Sequence, residues 1–338
     1  MPVKVLIVDD SPTIRKMIKF RLQRDLRTKV VGEACNADEA RAAIKALDPD
    51  VLTLDVEMPG MSGIDFLGRL MRLRPMPVIM VSSETRRGSD IALEALSLGA
   101  IDCIGKPFGQ GLAAAFDVLP DLVCAAAGAN PRMVSQPRMV TGNHKFLWNG
   151  KIVLLGASTG GVDALQTVLA GFPENCPPTL IAQHMPEAFL ASFARRLESK
   201  VAPRVSLATE GALLKQGAVL LAPGGHTHLA LDHTNGLRCH IVEGSHSGGF
   251  RPSVDVLFRS AVPEAHNAVA AMLTGMGRDG ADAMLQLRQA GARCLAQDEA
   301  TSVVYGMPRA VAENGAAEVL LPIEAISGSI IDLCRKGK

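Results

Sequence analysis

Residues 151–161 read KIVLLGASTGG, an apolar run that ends in a glycine-rich turn. The run predicts a buried strand and the glycines predict a sharp turn into a helix, so the stretch indicates an α/β unit. Ser158 lies at the tip of the turn, where its hydroxyl is exposed and neighbouring backbone N–H groups could hold an oxyanion. Many phosphate-binding units open in the same way, so catalysis and phosphate binding both remain open at this point.

The alternation of strands and helices continues on both sides of this stretch. In the first 120 residues we predict strands at 3–8, 30–34, 51–54, 78–81 and 101–104. In the second half we predict strands at 152–155, 180–183, 219–222, 268–273 and 293–296. Strands that alternate with helices favour parallel sheets, so the sequence predicts an α/β protein with two doubly wound parallel-sheet domains.

The domain organisation follows from length and from a change of pattern. A chain of 338 residues favours two domains. From residue 119 to 150 the pattern dissolves into Ala, Gly, Pro and isolated polar residues, which is typical of a linker. We therefore expect one domain at 1–120, a linker at 121–148 and a second domain at 149–338.

The composition argues against several classes of partner. Thirty-five basic and 34 acidic residues leave a formal charge of +1, which favours neither nucleic acid nor an anionic membrane surface. The seven cysteines are odd in number and form no C-x-x-C pair, so neither a disulfide framework nor a zinc site is indicated. No uncharged apolar stretch of about 18 residues occurs. We expect a cytoplasmic protein that does not insert into a membrane.

Five polar side chains follow the predicted strands of the first half. They are Asp9, Asp10, Asp55, Ser82 and Lys106. The carboxyl ends of parallel strands meet at one crevice, so these side chains should share a pocket. Three carboxylates at short range repel one another unless a cation offsets their charge, and oxygen ligands suit a hard ion such as Mg²⁺. The sequence therefore predicts a magnesium site beside a lysine.

These five residues, at these positions, make residues 1 to about 120 resemble the receiver domains of bacterial response regulators, which have a flavodoxin-like fold. The resemblance implies that Asp55 accepts a phosphoryl group from a histidine kinase. It further implies metal binding by Asp9, Asp10, Asp55 and the backbone carbonyl of Glu57, and phosphoryl contacts from Ser82 and Lys106. One position departs from the family, because Cys103 stands where receivers commonly have an aromatic residue that acts as a switch.

A base and an orienting acid for Ser158 are expected at the ends of neighbouring strands. His184 follows the apolar run at 180–182, and Asp279 lies in TGMGRDG after the predicted strand at 268–273. Asp298, which follows another strand, is the rival acid, and a helix cap is the alternative role for Asp279. Together Ser158, His184 and Asp279 supply a nucleophile, a base and an orienting carboxylate.

Six other histidines are not expected to take part in catalysis. We expect them to be solvated, because they lie in loops, in polar strand patterns or beside an asparagine. They are His226, His228, His233, His240, His246 and His266.

The second half closely resembles the bacterial chemotaxis protein-glutamate methylesterases of the CheB family. The resemblance rests on GASTGG, QHMP, APGG, RPSVDVLF, TGMGRDG and AQDEATSVVYGMPRA, in that order. It implies a Rossmann-like esterase domain behind the receiver, with Ser158, His184 and Asp279 as the triad and Thr159 and Met276 in oxyanion or substrate positioning. Phe250 departs from the family, whose relatives often have histidine there.

The same resemblance implies the reaction and its partners. The substrate is a glutamate methyl ester on the cytoplasmic domain of a methyl-accepting chemoreceptor, which is hydrolysed to methanol and a carboxylate during sensory adaptation. Receptor glutamines are deamidated by the same triad. A chemotaxis-type histidine kinase supplies the phosphoryl group, the receiver needs Mg²⁺, and the esterase step needs no cofactor.

Two other classes of function match parts of this pattern. One is a receiver fused to a non-catalytic Rossmann-like nucleotide-binding domain, with Ser158 as a phosphate contact. The glycine spacing of residues 156–161 does not match G-x-G-x-x-G, and no Walker lysine follows. The other is a transcription regulator, but the second half has no basic recognition helix.

Overall fold

The computed structural model describes residues 1–82, 86–106, 116–129, 146–234, 236–244 and 251–337. The chain forms two compact units, residues 1–135 and 136–338. The break falls within the segment predicted to be a linker.

The first unit is a five-stranded parallel sheet in the order β2-β1-β3-β4-β5. Its elements are β1 (Val3–Val8), α1 (Pro12–Gln23), β2 (Thr28–Ala34), α2 (Ala37–Leu47), β3 (Val51–Asp55), α3 (Gly63–Leu73), β4 (Val78–Ser82), α4 (Arg86–Ser97), β5 (Asp102–Gly105) and α5 (Leu119–Ala127). All five strands predicted for this half are confirmed. The strand order reverses between β1 and β3, and ligands bind at such a reversal in open α/β sheets.

Helix α5 corrects the expectation that regular structure ends near residue 119. It buries Leu119, Leu122, Val123 and Ala126, a spacing that places them on one face of a helix. The signal was overlooked because the run is short and glycine and proline follow it closely. Asp121, within this helix, is ion-paired with Arg27 at 2.5 Å, so the helix packs as part of the first unit.

The second unit has a seven-stranded parallel sheet in the order β14-β13-β12-β6-β7-β9-β8. Its elements are β6 (Ile152–Ala157), α6 (Gly161–Ala170), β7 (Thr179–Gln183), α7 (Glu187–Glu198), β8 (Arg204–Leu207), β9 (Ala218–Leu221), β10 (Thr227–Asp232), β11 (Arg238–Glu243), α8 (Val254–Ser260), a 3₁₀ helix (Val262–Asn267), β12 (Ala268–Met272), α9 (Ala281–Gln289), β13 (Arg293–Gln297), α10 (Met307–Glu313), β14 (Val319–Leu321) and α11 (Ile323–Leu333).

The five strands predicted for this half are β6, β7, β9, β12 and β13, and all are confirmed. The sequence did not reveal the short edge strands β8 and β14 or the antiparallel hairpin of β10 and β11. The strand order reverses between β6 and β12, so the carboxyl ends of these two strands flank the expected site. Ser158 and Asp279 lie beyond these two ends.

Two expectations about the whole chain can be compared with this fold. All seven cysteines lie among the described residues, and each is a free thiol. Within the described ranges, no helix combines the length and the hydropathy that a membrane crossing requires.

Candidate functional sites

An acidic pocket lies at the carboxyl ends of β1 and β3 in the first unit. Ligand oxygens of Asp9, Asp10 and Asp55 all lie within 4.8 Å of one another. Lys106 Nζ is 2.7 Å from Asp55 Oδ2 and 3.1 Å from Asp9 Oδ2. The structure therefore brings together the three carboxylates and the lysine that the sequence placed in one crevice.

Burial sets the electrostatics of this pocket. Desolvation raises the pKa of Asp55 to about 6, although the Lys106 ammonium and the N–H of Glu57 act against this shift. Desolvation also raises the pKa of Asp9, again against Lys106. For Lys106, burial favours the neutral amine, but Asp55 and Asp9 outweigh it and the pKa rises. The pocket therefore holds more negative charge than one ammonium neutralises.

The donor set of this pocket fits a magnesium ion. Carboxylate oxygens are the ligands that Mg²⁺ prefers, and three of them converge here while two are buried. A dication would offset the repulsion between Asp9 and Asp55, which adds to desolvation in raising the pKa of Asp55. The acidic cluster is therefore a suitable magnesium site on the chemistry of its own residues.

Ser82 and Glu57 are bonded to members of this pocket through their main chains. Ser82 ends β4 and is buried, and its carbonyl accepts the N–H of Lys106 at 2.7 Å. The N–H of Glu57 donates to Asp55 Oδ1 at 3.2 Å. Cys103 lies on β5, where burial raises the pKa of its thiol. A Cβ on Gly63 would lie 1.8 Å from the Asp55 carbonyl oxygen, so this helix start requires glycine.

The turn after β6 presents Ser158 as the glycine pattern predicted. The N–H of Ser158 donates to the Thr274 carbonyl at 3.0 Å, and the Ser158 carbonyl accepts the N–H of Gly161 at 2.7 Å. Gly160 adopts a φ of 76°, a left-handed conformation that glycine tolerates best. Ser158 is only 9% exposed, so the turn exposes this residue less than the glycine pattern predicts.

Three side chains form a hydrogen-bonded chain at this turn. Ser158 Oγ lies 3.1 Å from His184 Nδ1, and His184 Nε2 lies 2.8 Å from Asp279 Oδ2. Nδ1 therefore faces the hydroxyl, and Nε2–H donates to the carboxylate in the neutral ring. The arrangement joins a nucleophile, a base and an orienting acid, and it is typical of serine hydrolases.

The carboxylate of Asp279 is held from several sides. Its Oδ1 accepts the Ser253 hydroxyl at 2.9 Å and the N–H of Asp255 at 3.2 Å, and its Oδ2 accepts the N–H of Val254 at 2.7 Å. Burial acts to raise the pKa of Asp279, but the hydrogen bonds and charge of His184, with those backbone and hydroxyl donors, lower it overall. The group is therefore a carboxylate at neutral pH.

Asp298, the rival acid, stabilises a loop instead. Its Oδ1 accepts the N–H of Thr301 at 2.9 Å and the Thr301 hydroxyl at 2.6 Å. The hydroxyl of Ser302 donates to the Asp298 carbonyl at 2.7 Å. These bonds tie Asp298 to the turn after β13, and the imidazole of His184 is paired with Asp279.

Thr159 and Met276 lie on the two loops that meet at Ser158. The Thr159 carbonyl accepts the hydroxyl of the buried Thr274 at 2.9 Å. Next to Met276, Gly275 packs so closely on the serine that a Cβ there would lie 2.7 Å from Ser158 Cβ. Phe250 falls outside the described residues.

Several residues of the site were not identified from the sequence. Gln183, Ser253 and Thr274 hold members of the site by hydrogen bonds. They lie in the motifs QHMP, RPSVDVLF and TGMGRDG, but the sequence alone assigned them no role. The expectation that His228 is solvated is wrong, because its side chain is buried and its Nδ1 accepts the N–H of Ser253 at 3.1 Å.

Comparisons with known proteins agree with this architecture. Residues 153–330 match the family model described as CheB methylesterase, and residues 5–115 match that of the response regulator receiver domain. A protein-glutamate methylesterase/protein-glutamine glutaminase of Caulobacter vibrioides is 51% identical over 98% of this chain and 98% of its own. A relative with the same description from Agrobacterium fabrum is 51% identical over 98% of this chain and 96% of its own.

A solved structure shows the same likeness in three dimensions. The crystal structure of the Thermotoga maritima CheB methylesterase catalytic domain aligns with a TM-score of 0.53 and 37% identity, covering 55% of this chain and 99% of that one. The fold and the site define a hydrolase that carries a receiver domain. The chain belongs to the CheB methylesterase family. These matches do not favour the non-catalytic nucleotide-binding alternative.

Proposed function

We propose that the second unit hydrolyses glutamate γ-methyl esters on the cytoplasmic domains of chemoreceptors, and deamidates glutamines at such sites, during sensory adaptation. The observation that carries this proposal is the hydrogen-bonded chain from Ser158 through His184 to Asp279. The names of the relatives support the choice of ester and amide as the two substrates.

The geometry suits a two-step acyl transfer. His184 Nδ1 removes the Ser158 proton as the hydroxyl oxygen attacks the ester carbonyl, and Asp279 stabilises the imidazolium that forms. The imidazolium then protonates the departing methoxide, which leaves as methanol, or the departing amine, which leaves as ammonia. A water molecule, deprotonated by the same imidazole, cleaves the acyl-serine and releases the glutamate carboxylate and Ser158.

Thr159 and Met276 would hold the tetrahedral intermediate or position the substrate. The N–H of the residue after a serine nucleophile is a frequent oxyanion donor. Loss of one such donor raises the barrier by about 3 kcal/mol. The close approach of Gly275 to Ser158 supports a placement of the following residue, Met276, on the opposite wall of the same site.

In the first unit, Asp55 would accept the phosphoryl group from a chemotaxis-type histidine kinase. Asp9, Asp10, Asp55 and the Glu57 carbonyl would hold Mg²⁺, and Ser82 and Lys106 would contact the phosphoryl oxygens. Bound Mg²⁺ would neutralise charge on the phosphoryl oxygens during transfer. Lys106, ion-paired with Asp55 in this structure, is positioned to bind the new dianion.

The proposal also includes the setting of these reactions. We infer a cytoplasmic protein that binds receptor tails, inserts into no membrane and binds no nucleic acid. We retain a receiver at 1–120, with α5 now added to it, and a methylesterase domain at 149–338. Only the receiver would need a cofactor.

The test of this function is methanol release from a methylated chemoreceptor cytoplasmic domain. Ser158→Ala should abolish release, while Asp55 of the variant still accepts a phosphoryl group from acetyl phosphate in Mg²⁺. Methanol release by Ser158→Ala at a rate near that of the wild type would overturn the assignment of the nucleophile.

A further inference from the structure

Gln183, the last residue of β7, contacts both the nucleophile and the base. Its Nε2 donates to the Ser158 carbonyl at 2.9 Å and to the His184 carbonyl at 3.0 Å. Both hydrogens of the amide are therefore directed at main-chain atoms of the hydrogen-bonded chain. The side chain is buried, so water does not replace these bonds.

The bond to the Ser158 carbonyl has a consequence for the next N–H group. The peptide unit is planar and trans, so the N–H of Thr159 points opposite to the Ser158 carbonyl. Gln183 Nε2 and the N–H of Gly161 both hold that carbonyl, at 2.9 and 2.7 Å. These two donors therefore fix the direction of the Thr159 N–H.

The orientation of the Gln183 amide is itself determined by its surroundings. A flipped amide would direct its oxygen at two carbonyl oxygens, which repel it. Its Oε1 is buried and has no hydrogen-bond donor among the described residues. Gly161 packs against this oxygen, since a Cβ there would lie 2.1 Å from it.

We propose that Gln183 is a positioning residue for ester hydrolysis. It directs the Thr159 N–H at the developing oxyanion and holds the main-chain carbonyls of Ser158 and His184 in place. The inference rests on the proposed function, because an oxyanion forms only if Ser158 attacks an acyl group. Gln183 itself does not contact the reacting atoms.

The test uses the full chain with a methylated chemoreceptor cytoplasmic domain and two variants. Gln183→Met removes both donors, and we expect kcat to fall at least about tenfold with KM within twofold. We expect a similar loss of affinity for a glutamyl peptide whose side chain ends in a boronic acid, which becomes tetrahedral on serine. Affinity for the product peptide should stay unchanged.

Gln183→Glu adds a pH signature. A protonated glutamate has one O–H donor for these carbonyls, and an ionised one has none. The rate of Gln183→Glu, divided by that of Gln183→Met at the same pH, should therefore rise as the pH falls. A role in stability alone predicts a constant ratio once both proteins are folded.

Thr179→Val is the matched control. Thr179 is buried at the opposite end of β7, and its hydroxyl donates to the Pro177 carbonyl at 2.9 Å. We expect a lower melting temperature with unchanged kcat and boronate affinity. A Gln183→Met protein with kcat within twofold of wild type, or Gln183 variants that fail to fold altogether, would overturn the proposal. If the wild type itself releases no methanol, the proposed function is wrong instead.

Discussion

Asp279 accepts a hydrogen bond from His184 through Oδ2, the same oxygen that accepts the first N–H of helix α8. Its other oxygen accepts the Ser253 hydroxyl and the N–H of Asp255. One carboxylate thus orients the imidazole and caps a helix. The two roles weighed for Asp279 are both present, but the helix it caps is α8 and not α9, the helix that follows it in the chain.

Asp279→Asn should damage catalysis and folding together. Each oxygen of the carboxylate accepts two donors, so the NH₂ group of asparagine would face donors in either orientation. We expect kcat to fall by about 10³ to 10⁴, as for an orienting acid of a triad. We also expect the free energy of unfolding to fall by about 1–3 kcal/mol. Methanol release and denaturant unfolding measure the two effects.

Asp298→Asn is the comparison for that variant. It alters a loop contact with Thr301 and leaves the imidazole pair intact. We expect kcat within a few-fold of wild type. A large loss of kcat for Asp298→Asn, combined with a harmless Asp279→Asn, would reverse the assignment of the orienting acid.

Gly275→Ala should displace the nucleophile. The new Cβ would lie 2.7 Å from Ser158 Cβ and 2.5 Å from Met307 Sδ. Because backbone and side chain must shift, we expect kcat to fall about tenfold or more. The matched control is Gly328→Ala within α11, where, outside the neighbouring residues and the backbone of that helix, no described atom lies within 4 Å of the new Cβ. That variant should stabilise the helix by up to about 1 kcal/mol and keep full activity.

Much of the fold was predictable because buried parallel strands are continuous apolar runs. The ten strands predicted from such runs are all present. Ligands bind at the carboxyl ends of parallel strands, and this rule correctly predicted that Asp9 lies near Asp55 and that Ser158 lies near His184. The edge strand β14 was missed because its apolar run has only three residues and is partly exposed, which is shorter than the runs that indicate a strand.

The supporting contacts of the site had no signal in the spacing of the sequence. Ser253 bonds Asp279 across 26 residues, and Gln183 bonds Ser158 across 25. These pairings depend on how α8 and β7 pack beside the neighbouring elements. The expectation for His228 failed for the same reason, because this histidine is buried where the β10–β11 hairpin packs near α8.

Asp55→Asn should stabilise the metal-free first unit at neutral pH. Burial raises the pKa of Asp55 to about 6 from an unfolded value near 3.8, so the ionised group destabilises the fold at pH 7. This loss of folding stability is absent below the unfolded pKa of Asp55 and develops as the pH rises to about 6. We expect a gain of about 1–3 kcal/mol at pH 7.5 and almost none at about pH 3, below the unfolded pKa.

Calorimetry on the full chain can measure this change in the stability of the first unit. The unfolding transition of that unit is the one whose temperature should change when Mg²⁺ is added. Mg²⁺ should raise the melting temperature of the wild type at pH 7.5 and have less effect at pH 5, where protons compete for Asp55. The variant should respond weakly to Mg²⁺ at both pH values. A destabilised Asp55→Asn at pH 7.5 would contradict the electrostatic account of the pocket.

Phosphorylation of Asp55 should raise the rate of ester hydrolysis by the second unit. The phosphoryl group adds a dianion beside Lys106, whose Nζ is 2.7 Å from Asp55 Oδ2, and so favours a different state of the first unit. Tenfold activation needs a difference of only about 1.4 kcal/mol between the two states.

Methanol release from the receptor domain should therefore increase when acetyl phosphate and Mg²⁺ are added to the wild type, and stay constant for Asp55→Asn. Because Asp55→Asn leaves Ser158 and His184 intact, its basal rate serves as the control. An equal increase in both proteins would show that acetyl phosphate acts elsewhere. No increase in the wild type, despite a labelled Asp55, would contradict this prediction and leave the esterase assignment unaffected.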